Sequence, residues 1–338
     1  MRADPRRYLQ PVDGEASFEA AIAAWRAGDR DRALALLDAV IARGDARVSH
    51  WSTRGLWLEQ LGRHEEALEA FRASTVIEPT YADHYNAGNM LLALRRDEEA
   101  LVELDASIAL NDRYPECWVN RGFALRRLGR SDDARDSFDR ALTIDADFVP
   151  ALRCKAMLES GLGHGAQAEA LYARVAQLSP DDARAAIDLA RQLGQLAEGG
   201  RMELHPGGRE WRAIEACKRA RALAPDDPRP WGFEVAVLAR LMLVHVCFRL
   251  VRPRDGGGTD FELVPGPLET GRFADELIAL CEAAMARFPE DAFFPSRLAV
   301  AFAHLSRVDD ALEAARRAVA LDPSLEADLL EALDVEHL

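Results

Sequence analysis

Most of the signatures that announce an enzyme are missing from this 338-residue chain. It holds no G-x4-G-K-[ST], no G-x-S-x-G, no H-E-x-x-H and no dinucleotide fingerprint, so no phosphate loop, serine nucleophile or zinc protease helix can be read from it. Its five cysteines, Cys117, Cys154, Cys217, Cys247 and Cys281, form no C-x-x-C pair; Cys217 and Cys281 read as small buried hydrophobes in a reducing compartment. Basic residues are in deficit, 42 against 57 acidic, for a formal charge of −15. That argues against general nucleic-acid binding, which depends on neutralising phosphates. The longest apolar run, Leu238 to Val251, is broken by Arg240, His245 and Arg249 and is too short to span a bilayer. The N-terminal MRADPRRYLQPVD lacks a signal peptide's apolar stretch, so a cytoplasmic location without membrane insertion is expected. No cofactor or metal is expected.

What the chain does have is a period. Small residues recur at Ala33, Ala67, Ala100, Ala134 and Ala168, in steps of 34, 33, 34 and 34, and twelve positions before each stands Ala21, Gly55, Gly88, Gly122 or Ala156. Around one such pair, Trp51, Leu58 and Leu61 lie at helical spacing, Gly62 stops the pattern, Glu65 and Glu66 open a second helix, and Pro79 ends it. Acidic residues favour a helix N-terminus and proline a helix end. Each unit is therefore a helix pair. Its small residues let two backbones approach, and Phe71, Leu104, Phe138 or Tyr172 fills the adjoining groove. A single pair cannot bury its apolar faces, so the units stack.

These residues resemble the tetratricopeptide repeat family, whose pattern is W-x2-L-G-x2-Y, then A-x3-F, then A and P over 34 residues. Trp51, His84, Trp118 and Leu152 stand at the tryptophan place, and Asp45, Pro79, Asp112, Ala146, Pro180, Pro225, Pro289 and Pro323 at the terminal proline place. The leucine before the glycine is replaced by Arg54, Arg121 and Lys155. The resemblance implies an all-α solenoid, a right-handed superhelix of about eight helix pairs. The expected division is an irregular segment 1–13, five regular repeats over 14–182, a repeat with an 11-residue insertion over 183–227, a repeat with a 30-residue insertion over 228–291, a last repeat over 292–325 and a capping helix over 324–338, N-capped by Ser324.

The insertions, at about 195–210 and 243–272, fall between the two helices of consecutive units. The first, around GGRMELHPGG, reads as a loop. In the second, Val244, Val246, Phe248 and Leu250 alternate with His245, Cys247 and Arg249. A small β-hairpin turning through Gly256–Gly258 is preferred over a helix extended to about Arg252, within 243–268.

The binding face is sought on the first helices, whose sixth positions hold Glu19, Thr53, Asn86, Asn120, Cys154, Asp188, Phe233 and Arg297. An amide both donates and accepts, which suits a peptide backbone losing its water. The resemblance implies the same role for Asn86 and Asn120, and Asn89 matches the family's clamp for C-terminal carboxylates. The clamp's basic places hold Tyr85, Pro150 and Cys154 instead. The expected peptide-binding residues are thus Asn86, Asn89 and Asn120, with Tyr85, Phe123 and Met157 as apolar contacts and Arg153 nearby. The first reading is a non-catalytic scaffold or adaptor binding a peptide segment of a partner protein. Two alternatives stand: an enzyme or metal site on the insertions, using His205, His245 and Cys247, and an oligomerisation scaffold.

Overall fold

The computed structural model describes residues 17–43, 46–199, 208–247, 251–253, 261–263 and 269–333. The chain divides into two compact units, residues 1–158 and 159–338.

In the first unit, α1 (Phe18–Arg26) packs on α2 (Arg30–Ala42), α3 (Val48–Gln60) on α4 (His64–Ile77), α5 (Tyr81–Ala93) on α6 (Asp97–Leu110) and α7 (Pro115–Arg127) on α8 (Ser131–Ile144). Helix α9 (Val149–Gly161) follows. The small pairs do what their spacing requires: Ala21, Ala33, Ala67, Ala100 and Ala134 are fully buried. A Cβ added at Gly55 would lie 2.6 Å from the Phe71 ring, at Gly88 2.8 Å from Leu104, and at Gly122 2.5 Å from the Phe138 ring. The large side chain therefore sits directly on the glycine rather than beyond the crossing. Leu37, Leu58, Phe71, Leu91 and Leu104 continue one apolar cluster from pair to pair, so no pair has a core of its own.

The substitutions for the pre-glycine leucine have a structural role. Arg54 Nε donates to Asp38 Oδ1 at 2.7 Å, Arg121 Nε to Asp105 Oδ1 at 2.7 Å and Lys155 Nζ to Asp139 Oδ1 at 2.5 Å, each reaching a partner 16 residues earlier on the preceding second helix. The corresponding place between them holds the buried Ala87, and there His84 Nδ1 meets Glu103 at 2.8 Å while Arg72 bonds the same carboxylate at 3.0 Å. A second device repeats at the turns. Arg63, Arg96 and Arg130 stand at the N-caps of α4, α6 and α8 and pair with Glu66, Glu99 and Asp133 three residues on. The guanidinium hydrogen bonds hold the Glu66 and Glu99 carboxyls below their ordinary range. At the exposed turns such pairs contribute little individually.

The second unit contains α10 (Gly165–Leu178), α11 (Ala183–Gly199), α12 (Arg209–Leu223), α13 (Pro228–Cys247), α14 (Glu269–Arg287), α15 (Phe293–His304), α16 (Val308–Leu321) and α17 (Glu326–Leu333). The ends of both insertions continue the flanking helices: α11, α13 and α14 have 17, 20 and 19 residues against 13 and 14 in α3 and α4. Gln195–Gly199, expected in a loop, are the end of α11. Val244–Cys247, expected in a strand, complete α13, because a helix already paying its nucleation cost gains a backbone bond with each added residue. A short antiparallel ladder pairs β1 (Val251–Pro253) with β2 (Phe261–Leu263), with Val251 opposite Leu263. Gly256–Gly258 lie outside the described residues.

Val235 and Leu277, which replace the small pair of that repeat, are both fully buried in a cluster with Leu238, Leu241, Phe273 and Cys281. At the C-terminal end, Ser324 is not the cap: Asp322 accepts its backbone N–H at 3.0 Å and opens a 3-10 turn over Pro323–Leu325 before α17, whose Leu329 is buried. Desolvation pushes the buried Cys217 and Cys281 thiols up to about 12 and Cys117 to about 11, so all three stay protonated and inert as thiols.

Candidate functional site

The expected site residues all fall in the first unit, on α5, α7 and α9. Helix α5 starts on a firm support. Thr80 caps it by accepting the Asp83 N–H at 3.1 Å, and the buried Asp83 carboxylate takes the hydroxyls of Thr80 at 2.9 Å and Ser74 at 2.8 Å. Pro115 opens α7, where its missing N–H costs nothing, and Ser107 Oγ ties α6 to the Tyr81 carbonyl at 2.7 Å.

On that base, Tyr81, Tyr85 and Asn89 follow one another at i, i+4 and i+8 on α5, one stripe of one helix face. Asn120 of α7 donates from Nδ2 to Asn89 Oδ1 at 2.6 Å. Asn86 and Asn120 share the sixth position of their repeats, but the amide bond joins Asn120 to Asn89. Asn86 is half-buried.

Aromatic rings stand at both ends of this amide pair. Tyr114, at the N-cap of α7, packs edge-on against Tyr85 with centroids 4.9 Å apart and against Tyr81 at 5.6 Å. Burial, with Tyr85 and Glu116 alongside, pushes the Tyr114 hydroxyl up to about 12, so it is a hydrogen-bond donor at any physiological pH. One turn beyond Asn120, the Phe123 ring carries the guanidinium groups of Arg126 at 5.3 Å and Arg127 at 5.5 Å. Arg127 reaches back to α5 and α6, bonding the Leu92 carbonyl at 3.0 Å and pairing with Asp97 at 2.9 Å. Met157 and Arg153 lie on α9, Met157 37% exposed and Arg153 half-buried.

Tyr114 and the Asp97–Arg127 pair escaped the sequence reading. Tyr114 stands immediately before the proline that opens α7, and a repeat alignment treats that place as linker. The ion pair links positions 30 residues apart in different repeats, which no single-repeat pattern contains.

The candidate residues of the alternative site on the insertions fall outside what the structure describes. His205 lies outside the described residues, as do the side chains of His245 and Cys247. No group of three or more His, Cys, Asp or Glu able to hold a metal occurs among the described residues, and no helix there is long and apolar enough to cross a membrane.

Comparison with known proteins returns one family description. Tetratricopeptide repeat models match residues 18–82 and 268–326, and a second such model matches 115–148. Tetratricopeptide repeat protein 37 of Xenopus laevis is 26% identical over 148 residues, which are 43% of this chain and only 10% of that protein. The C-terminal part of a TPR repeat-containing protein from Cytophaga hutchinsonii superposes with a TM-score of 0.55 at 12% identity, covering 94% of this chain and 99% of that one. YrrB, described as a TPR protein with an unusual peptide-binding site, superposes with a TM-score of 0.50 at 15% identity over 69% of this chain and 98% of its own. At these identities the structural likeness is one of fold.

Proposed function

We propose that this chain, a member of the tetratricopeptide repeat family, is a non-catalytic interaction scaffold that holds an extended peptide segment of a partner protein on the α5–α7–α9 face. The observation that carries the reading is the amide pair. Asn120 and Asn89 satisfy one donor and one acceptor in each other at 2.6 Å, leaving both N–H donors of Asn89 and the carbonyl oxygen of Asn120 for a ligand backbone. Tyr85, Phe123 and Met157 add apolar contact around these polar anchors, and Asn86 and Arg153 extend the polar set. This division between a few polar groups and an apolar surround is how extended peptides are held. A reducing, cytoplasmic setting belongs to the same reading, in which Cys117, Cys217 and Cys281 are buried as small hydrophobes.

The test uses a peptide selected on the purified full chain from an unbiased displayed library. Changing Asn86 and Asn120 together to alanine leaves ligand peptide groups without partners. The expected loss is about 1–3 kcal/mol, up to roughly a hundredfold in affinity, at a melting temperature within about a degree or two of wild type. A selected peptide that binds the double variant as tightly as wild type places the site elsewhere.

A further inference from the structure

The second helices of the first unit carry an apolar strip that the peptide face does not use. Ile77, Leu110 and Ile144 are the last residues of α4, α6 and α8, one per repeat at steps of 33 and 34. They are 48%, 52% and 38% exposed, and Val76 beside Ile77 is 85% exposed. Apolar side chains scattered singly on a surface need no explanation, but a row at the same helix end of three successive repeats does. The core of these helices is already filled by the fully buried Phe71, Leu104 and Phe138, which stand six residues earlier on each helix.

The charge around the strip is largely of one sign. The turns that leave the three helices, 78–80, 111–114 and 145–148, hold Glu78, Asp112, Asp145 and Asp147 against a single cation, Arg113. All five are exposed. Glu78, Asp112 and Asp145 enter no ion pair among the described residues. Asp145 accepts the Asp147 N–H at 3.0 Å, which leaves its charge in place. Arg140, one turn before Ile144, is engaged over the Trp118 ring at 5.8 Å.

This pattern separates the candidate occupants. An anionic membrane surface brings like charge to the acidic rim, and so does a second copy of this chain, whose formal charge is −15. A protein segment with an apolar face flanked by lysine or arginine matches both the strip and its rim. The aliphatic side chains of the strip offer no hydrogen bonds. A ligand whose backbone is satisfied within itself therefore loses least on being desolvated there, which favours a helix over an extended chain.

We infer that the edge formed by Ile77, Leu110 and Ile144 is a docking surface for a cationic amphipathic helix of a partner protein. The apolar face of that helix lies on the three aliphatic side chains and its basic residues meet Glu78, Asp112 and Asp145. The surface belongs to the second helices and is independent of the α5–α7–α9 face.

The experiment measures fluorescence anisotropy of a labelled leucine–lysine peptide of about 18 residues, patterned to form one apolar helix face, titrated with the full chain. Two peptides of the same length stand beside it. One has the same composition scrambled so that no apolar face forms, and the other keeps the pattern with glutamate in place of lysine. The patterned cationic peptide is expected to bind saturably, the scrambled one at least about tenfold more weakly and the glutamate one not at all.

Leu110→Ser should weaken the patterned peptide about fivefold or more by removing apolar contact. Glu78→Gln, Asp112→Asn and Asp145→Asn combined should weaken it about tenfold and make its salt dependence shallower. The control combines Glu69→Gln, Glu98→Gln and Asp136→Asn, which removes as much charge from exposed positions nearer the N-termini of the same helices. It should change binding by less than about threefold. An unchanged melting temperature checks that each variant is folded.

No binding of the patterned peptide, equal binding of the scrambled one, or equal losses in the two charge variants overturns the inference. Self-association of the chain, or capture by phosphatidylserine vesicles, that Leu110→Ser abolishes also overturns it, because the strip then serves another occupant.

Discussion

Gly122→Val should be among the most damaging single changes in the first unit. The added Cβ would stand 2.5 Å from the Phe138 ring, with two further ring atoms within 2.9 Å, and Phe138 is fully buried in a cluster with Val119, Leu125, Ala134 and Leu158. Two effects oppose each other. A helix gains from losing a glycine, by less than about 1 kcal/mol, whereas forcing extra carbons into a packed crossing costs about 1–3 kcal/mol and more when the ring cannot move. The steric term wins, for an expected net loss of about 2–3 kcal/mol in denaturant melts. Gly161→Ala is the contrasting change. Nothing lies within 4 Å of its added Cβ, so the substitution should be neutral or stabilise by up to about 1 kcal/mol. Combining Gly122→Val with Phe138→Ala should cost less than the two separate losses added together, because the clash disappears with the ring. Equal melts for Gly122→Val and wild type would show that the ring is not seated on the glycine.

Asp97→Ala should be comparably severe for an electrostatic reason. The carboxylate and the Arg127 guanidinium are 11% and 10% exposed and meet at 2.9 Å. Removing Asp97 leaves a nearly buried cation whose remaining bond is to the Leu92 carbonyl, and breaking a buried pair from one side costs about 3–5 kcal/mol. Changing both partners, Asp97→Ala with Arg127→Met, should recover much of that loss, since an apolar replacement removes the stranded charge. The exposed pair Arg130–Asp133, with side chains 55% and 48% exposed, provides the scale. Asp133→Ala should cost less than about 1 kcal/mol. If Asp97→Ala were equally mild, the pair would not organise the α5–α6 turn against α7.

The repeat was legible because its signal is steric and local. A crossing that admits only hydrogen or methyl demands Gly or Ala at a fixed interval, and Gly55, Gly88, Gly122 and their alanine partners can be read without knowing any neighbour. Side-chain partnerships between repeats were not legible, since the 34-residue period says which helices adjoin but not which amides meet. Asn86 and Asn120 share a repeat position, yet the bond runs from Asn120 to Asn89, one turn farther along α5. Arg54, Arg121 and Lys155 looked like departures from a leucine place, and their carboxylate partners 16 residues back explain them. Alternation misled at Val244–Cys247, where four residues of strand-like pattern sit at the end of a helix long enough to carry them along.

The central claim is that a peptide lies on the α5–α7–α9 face. Its most direct test is NMR of the side-chain amide groups of Asn86, Asn89 and Asn120 in the full chain, titrated with the library-selected peptide. The account predicts that these resonances shift and saturate with the binding curve, together with backbone amides of Tyr85 and Phe123, while those of the second-helix residues Val76, Val102 and Arg140 stay in place. Saturable binding that moves the second-helix set and leaves the three asparagine amides unchanged would contradict it.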